Sequence, residues 1–408
     1  NHMKEKARYA LIAELILGVI FYLFLYLHPV LRHQLWVQHN EVFLLIFFSP
    51  LLVLMLLLVL WQKKPPKVDT FNRWLMIIFW PLLSLGGLIE LMNVVAKAWP
   101  HMGAIVAVIF LLIGLGWLIP FAIAVGAEVK WTVPRLILIF WMMENLMEIC
   151  TLGHIPGNKF FNTVLSTGLW AAFAYTIWAC FLAWGWGYNF DFNLKFEKSA
   201  NFSDGVLVFL IVFGIVDIIW NAFGGYGNNL FSVLFSYHTD PMKFTLNSFS
   251  QAAEAGIMEE MNRYLVIIVL LYALRKNKWQ VPITIFISAL FFGLLHFANF
   301  GWQKLAPTIA QVTSAFAIGL FFAAVYLYTG KLWLTMLMHF FVDFLIFLQE
   351  NGDQPGTWNG STGEWLVAII SVVVPVCIYL WMISGKRILV MQENSDRILQ
   401  PLEQENMY

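Results

Sequence analysis

The sequence predicts an all-α, polytopic transmembrane helical bundle of about 12 spans, with both termini in the cytoplasm. Three observations predict it. The 408 residues are 60% hydrophobic and only 12% charged, whereas a soluble domain carries roughly a quarter charged residues. Apolar runs approaching the about 20 residues that a helix needs to cross a hydrocarbon core recur along nearly the whole chain. The loops between those runs alternate between rich and poor in Lys and Arg, as the positive-inside rule requires. A soluble fold is excluded, because it has no means of hiding this much apolar surface.

Each span follows from the sequence in turn. Asn1-His2 before Met3 reads as the remnant of an expression tag, so the reading begins at Met3. The run from Tyr9 to Tyr26 is too long and uninterrupted for a cleaved signal peptide and gives a first span at 8–27. Spans follow at 42–61, at 74–94 with Glu90 and Asn93, at 104–125, at 136–151 with Glu144 and Glu148, and at 162–184. A polar stretch over 185–204 closes an N-terminal transmembrane region, 3–203, of unknown role. The core, 204–385, then holds spans at 205–221 (with Asp217 and Asn221), 247–270, 281–299, 309–328, 333–349 and 364–383. A loop rich in Gly, Asn, Thr and Ser over 350–362 precedes the last span, and 386–408 forms a polar cytoplasmic tail. There is no internal repeat and no low-complexity tract.

With the N-terminus inside, 18 of the 24 basic residues fall in inside segments and five outside: Arg32, Lys97, Lys159, Lys243 and Lys304. The remaining one, Arg263, lies within a span. A span count wrong by one in the middle of the chain erases that asymmetry. Cys150, Cys180 and Cys377 sit in apolar segments without paired spacing, so neither a disulfide framework nor a thiolate zinc site is indicated.

Ionisable side chains inside a membrane are costly, and each is a functional hypothesis by default. They cluster in the core. The eighth span reads Glu254-Ala-Gly-Ile-Met-Glu259-Glu260-Met-Asn-Arg263, the ninth ends in Phe292-Gly-Leu-Leu-His296-Phe-Ala-Asn299, and the eleventh contains His339-Phe-Phe-Val-Asp343. Residues four apart share a helix face. Glu259 with Arg263, His339 with Asp343, and Phe292 with His296 therefore form three polar stripes, expected to converge on one water-accessible cavity. Any one of these residues alone reads equally well as an interhelical hydrogen-bond partner; the three stripes together favour a shared site. Carboxylates and imidazoles at one depth suit two chemistries: a carboxylate general base activating water with imidazoles assisting, or a metal-bound hydroxide. Arg263 is expected to pair with Glu259 one turn earlier, or with an acid of the N-terminal half.

These motifs resemble those of the CAAX-protease and bacteriocin-processing (Abi) family of intramembrane proteases. The run Tyr328-Thr329-Gly330-Lys331-Leu332-Trp333 before His339 is also similar to the family's approach to its third motif. The resemblance covers about residues 245–350. It implies a glutamic-type endopeptidase with Glu259, Glu260 and His296 activating water, His339 and Asp343 serving the oxyanion, and Arg263 and Asn299 in support. The family pattern is EExxxR, whereas Arg263 follows Glu260 by three. Anchoring on Arg263 puts Met258 at the first glutamate; anchoring on Gly256-Ile-Met-Glu-Glu keeps both glutamates in place, and we favour the second.

No metal or other cofactor is expected: the chain offers no usable Cys and no HExxH helix, and adjacent glutamates point about 100° apart. The expected partners are a peptide or protein substrate, lipidated or membrane-embedded, together with membrane lipids; no nucleic acid is expected. The expected location is the cell membrane of a bacterium. Two other readings compete. One is a non-proteolytic scaffold, or an immunity protein against a membrane-active peptide. The other is a transporter, for which paired half-helix breaks and repeat halves are missing.

Overall fold

The structure is a computed structural model of the full chain and describes residues 2–27, 46–188, 190, 192–301, 303–349 and 360–400. Among the described residues it is all helical, with no strand, and it divides into two compact units, residues 1–187 and 188–408. A helix occupies each of the predicted spans, although 42–45 of the second lie outside the described residues, as does most of the 350–362 loop. Among the described residues, eight helices are long and apolar enough to cross a membrane, or nine if the bent pair below counts as one span.

The first unit contains α1 (His2–Leu27), α2 (Pro50–Leu60), α3 (Pro66–Trp80), α4 (Gly86–Ala98), α5 (Gly103–Ala124), α6 (Thr132–Leu152), α7 (Lys159–Ser166) and α8 (Leu169–Gly185). Pro81 has no N–H for the carbonyl one turn back, and the chain widens into a π segment over Pro81–Leu85 between α3 and α4. The predicted span 162–184 is broken: α7 and α8 meet at 56°, with Gly168 between them at φ +76°. That left-handed conformation is one glycine adopts without a Cβ penalty. Packing is close, with Trp80 and Phe121 stacked at 4.7 Å and Trp170 filling the space over Gly114. The polar residues of this unit serve interhelical bonding in part: Asn93 Nδ2 donates to the Leu152 carbonyl at 2.7 Å, and its Oδ1 accepts from His154 N–H at 2.8 Å. Cys150 is buried, and the three cysteines are free thiols.

The second unit contains α9 (Asp204–Phe223), α10 (Leu230–Phe235), α11 (Leu246–Ala273), α12 (Gln280–Leu295), α13 (Leu305–Thr329), α14 (Leu332–Gln349), α15 (Thr362–Met382) and α16 (Gly385–Ile398). A Thr245–Ser248 capping box starts α11, whose residues from Met258 through Leu271 are buried except Glu259. A helix buried all round is central to its bundle. Two glycines set its neighbourhood. A Cβ on Gly256 would stand 2.9 Å from the Met336 carbonyl and the Phe340 N, so α11 and α14 cross there backbone to backbone. A Cβ on Gly293 would stand 2.8 Å from the Val312 carbonyl, so α12 meets α13 the same way. Only Gly330 (φ +67°) and Lys331 separate α13 from α14. The segment expected to be a polar tail forms α16, which docks through Val390, Met391, Asn394 and Ser395; Asn394 Nδ2 donates to the Leu327 and Tyr328 carbonyls at 2.8 and 2.7 Å.

Candidate active site

The crossing at Gly256 puts Glu259 and Glu260 of α11 beside His339 of α14, which lies between the two residues that meet Gly256. Glu260 is fully buried and its oxygens are occupied. Arg263 donates from Nε to Oε2 at 3.1 Å and from Nη2 to Oε1 at 3.0 Å. His339 Nδ1 lies 2.9 Å from the same Oε1. An ionised carboxylate only accepts, so this contact puts a proton on Nδ1 and leaves Nε2 as the outward ring nitrogen. Nε2 stands 3.7 Å from Glu259 Oε2 and 3.5 Å from Asp343 Oδ2.

The two glutamates have different surroundings. Glu259 Oε2 is buried and accepts no hydrogen bond, while the rest of the side chain is about a quarter exposed, at 25%, much as Asp343 is at 24%. The site thus has one saturated carboxylate in its floor and two that remain reachable. A carboxylate with a free oxygen is a competent proton acceptor; one that already accepts three N–H groups is an anchor.

Arg263 pairs with Glu260, three residues back, and not with Glu259, as the four-residue spacing led us to expect. The reason lies on neighbouring helices. Its guanidinium sits 4.0 Å over the Phe292 ring and 5.7 Å from that of Phe322, and Nη1 donates to the Gly319 carbonyl at 3.2 Å. A Cβ on Gly319 would stand 3.1 Å from Nη1 and from the Phe292 ring, so glycine here gives the guanidinium its room without a shift of its neighbours. This box draws Arg263 over Glu260, and Glu259, one residue round the helix, turns to His339.

His296 occupies the residue after α12, where the helix tightens into a 3-10 segment, His296–Gly301. Its Nδ1 lies 3.0 Å from the Phe292 carbonyl, which can only accept, so Nδ1 carries a proton and Nε2 is the ring nitrogen left for other partners. Among the described residues no hydrogen bond joins it to the glutamates; its links to the cluster are a 5.0 Å ring contact with Phe292, itself 5.7 Å from the His339 ring, and electrostatic range of Asp343. Asn299 bonds Gln311 at 3.0 Å instead.

Three participants were not singled out from the sequence. Glu254 lies within electrostatic range of Glu259, Asp343 and His339; a third acid on the same helix was its only signal. Phe322 and Gly319 of α13 complete the Arg263 box, and nothing in their local sequence marks them. No group of three or more His, Cys, Asp and Glu side chains among the described residues is placed to hold a metal ion.

Residues 241–345 match the family model described as Rce1-like: Type II CAAX prenyl endopeptidase Rce1-like. The matched range holds every residue of the cluster, and it supports a CAAX-protease and Abi-family region at 241–345 of this chain. That family is one of proteases, which supports a hydrolase acting on a peptide or protein; with the long apolar helices it supports an integral membrane protein. Comparison with curated proteins and with solved structures gave no match.

Proposed function

We propose that this chain is an intramembrane endopeptidase that cleaves a membrane-associated peptide or protein with a water activated by Glu259. The observation that carries the proposal is the division of labour between adjacent glutamates: Glu260 is locked by Arg263 and His339, while Glu259 keeps a free, buried oxygen 3.7 Å from His339 Nε2. Glu259 takes a proton from water, and the oxygen adds to the scissile carbonyl carbon. His296 Nε2, the ring nitrogen not bonded to Phe292, shares that water. His339, as an imidazolium with Nδ1–H committed to Glu260 and Asp343 Oδ2 3.5 Å from its Nε2, turns Nε2–H to the oxyanion. Collapse of the tetrahedral intermediate breaks the C–N bond, and Glu259 returns its proton to the leaving amine. Arg263 acts through Glu260, as a positioning residue.

The catalytic region is 204–385 in this reading, the last six of about 12 spans in a chain with cytoplasmic ends, and Asn299 lies at the edge of the site. The name of the matched family makes a prenylated CAAX peptide the first substrate to try. The test is cleavage of such peptides by protein reconstituted in vesicles. Loss of product in both Glu259→Gln and His339→Asn, with helicity retained, is the expected result; turnover by folded Glu259→Gln overturns the assignment.

A further inference from the structure

In the first unit a cavity of ≈ 580 Å³ opens where the start of α1, the α2–α3 link and the end of α5 come together. All three belong to ends of apolar helices, so the cavity lies at the end of this bundle. Its lining includes four cationic side chains, Lys4, Arg8, Lys64 and Arg73, against two carboxylates, Asp69 and Glu128. Lys4 pairs with Glu128 at 2.9 Å, while Lys64 and Arg73 share Asp69 at 3.0 and 2.9 Å. Arg8 meets no carboxylate among the described residues; its Nη2 donates to the Val59 carbonyl at 2.9 Å, leaving the other guanidinium N–H groups for a ligand. The wall is therefore two positive charges in excess.

A second, independent feature points to what the ligand carries. Asn72 lines the same cavity, is 3% exposed, and its Oδ1 has no hydrogen-bond partner. A buried amide oxygen without a donor is a cost that native structures rarely carry. It calls for an O–H or N–H.

We propose that this cavity binds a phosphate ester that bears a neighbouring hydroxyl or ammonium group, with Arg8 and Lys64 on the phosphate and Asn72 Oδ1 accepting from the donor. Charge-assisted N–H to phosphate bonds are the stronger half of the recognition, and the donor gives selectivity. Both membrane lipid headgroups and soluble phosphoesters have this chemistry. Basic pockets at helix ends on the membrane surface suit the former.

The experiment measures dissociation constants by native mass spectrometry of the full chain in detergent. The ligands are phosphatidylglycerol, phosphatidylethanolamine, phosphatidylcholine and glycerol 1-phosphate. In phosphatidylcholine three methyl groups replace the N–H donors of phosphatidylethanolamine at the same net charge, so the latter should bind more tightly, and Asn72→Leu should erase the part of that difference that comes from the donors. Arg8→Gln should weaken phosphatidylglycerol roughly tenfold, the effect of losing one charged hydrogen bond, while Lys97→Gln, an exposed control, leaves it unchanged. If Arg8→Gln loses helicity, Lys64→Gln takes its place. Equal binding of the two zwitterionic lipids, or wild-type affinity for phosphatidylglycerol in the folded cation variant, overturns the site. Glycerol 1-phosphate binding as tightly as the lipids, with the same dependence on Arg8, supports the site and assigns it to a soluble phosphoester.

Discussion

Glu260 and His339 are 79 residues apart in the chain, yet Oε1 and Nδ1 stand 2.9 Å apart in the buried interior of the second unit. This contact ties the α11 carboxylate pair to the α14 imidazole, and it separates what each glutamate contributes.

Glu259→Gln is expected to lower the rate of peptide cleavage by about 10²–10⁴-fold, the usual contribution of a positioned general base. Its carboxylate anchors nothing, so the melting temperature in detergent should stay near that of the parent protein. A variant that melts early and loses activity in proportion assigns Glu259 to structure instead.

Arg263→Ala should destabilise the fold by about 3–5 kcal/mol, because it leaves the Glu260 charge buried and alone. Arg263→Lys should recover only part of this, since an ammonium lacks the fork that reaches both Glu260 oxygens and the Gly319 carbonyl together. Denaturation in mixed micelles measures both; an unchanged Arg263→Ala is the contrary result.

The two histidines should fail differently. His296 bonds its own helix and packs at its end, so His296→Ala should lose activity with little change in thermal stability. His339→Ala removes a partner of Glu260 and should lower both. Equal stability losses would mean that His296 is as deeply integrated as His339.

Gly256→Leu should separate α11 from α14, since even a Cβ would meet backbone atoms at 2.9 Å. Overpacking of this kind costs about 1–3 kcal/mol. Activity should fall further than stability, because the same crossing sets the Glu259–His339 distance. Unchanged cleavage by the variant would show that the crossing does not position the site.

Activity should survive exhaustive chelation. Glu260 and the two imidazoles are held by hydrogen bonds to Arg263, to each other or to backbone, and those bonds do not depend on a metal. Loss on chelation with recovery by zinc alone would reassign the same side chains as ligands.

The helices were legible in the sequence because each needs an apolar run, and apolar runs are local. The break at Gly168 was not, since Thr167 and Gly168 interrupt the 162–184 segment without any drop in its overall hydrophobicity. In the site, the stripes of Glu259, His339 and Asp343 could be read from four-residue spacing. The partner of Arg263 could not. Both glutamates lie within reach of it along α11, and the choice is made by Phe292, Phe322 and Gly319 from other helices. That outcome bears on the EExxR spacing: the shorter interval still closes an arginine–glutamate pair, and Glu259 is left over for other work.

The pairing of Glu260 with Arg263 on a single helix also bears on how the chain enters the bilayer during synthesis. Each charged residue at the centre of an inserting helix costs about 2.5–3.5 kcal/mol on the translocon scale, and α11 carries Glu254, Glu259, Glu260 and Arg263. A counter-charge on the same helix travels with both glutamates, so Arg263 offsets one of these acids before α12, α13 or α14 has been made. Phe292, Gly319 and Phe322, which arrive with α12 and α13, then fix that counter-charge on Glu260.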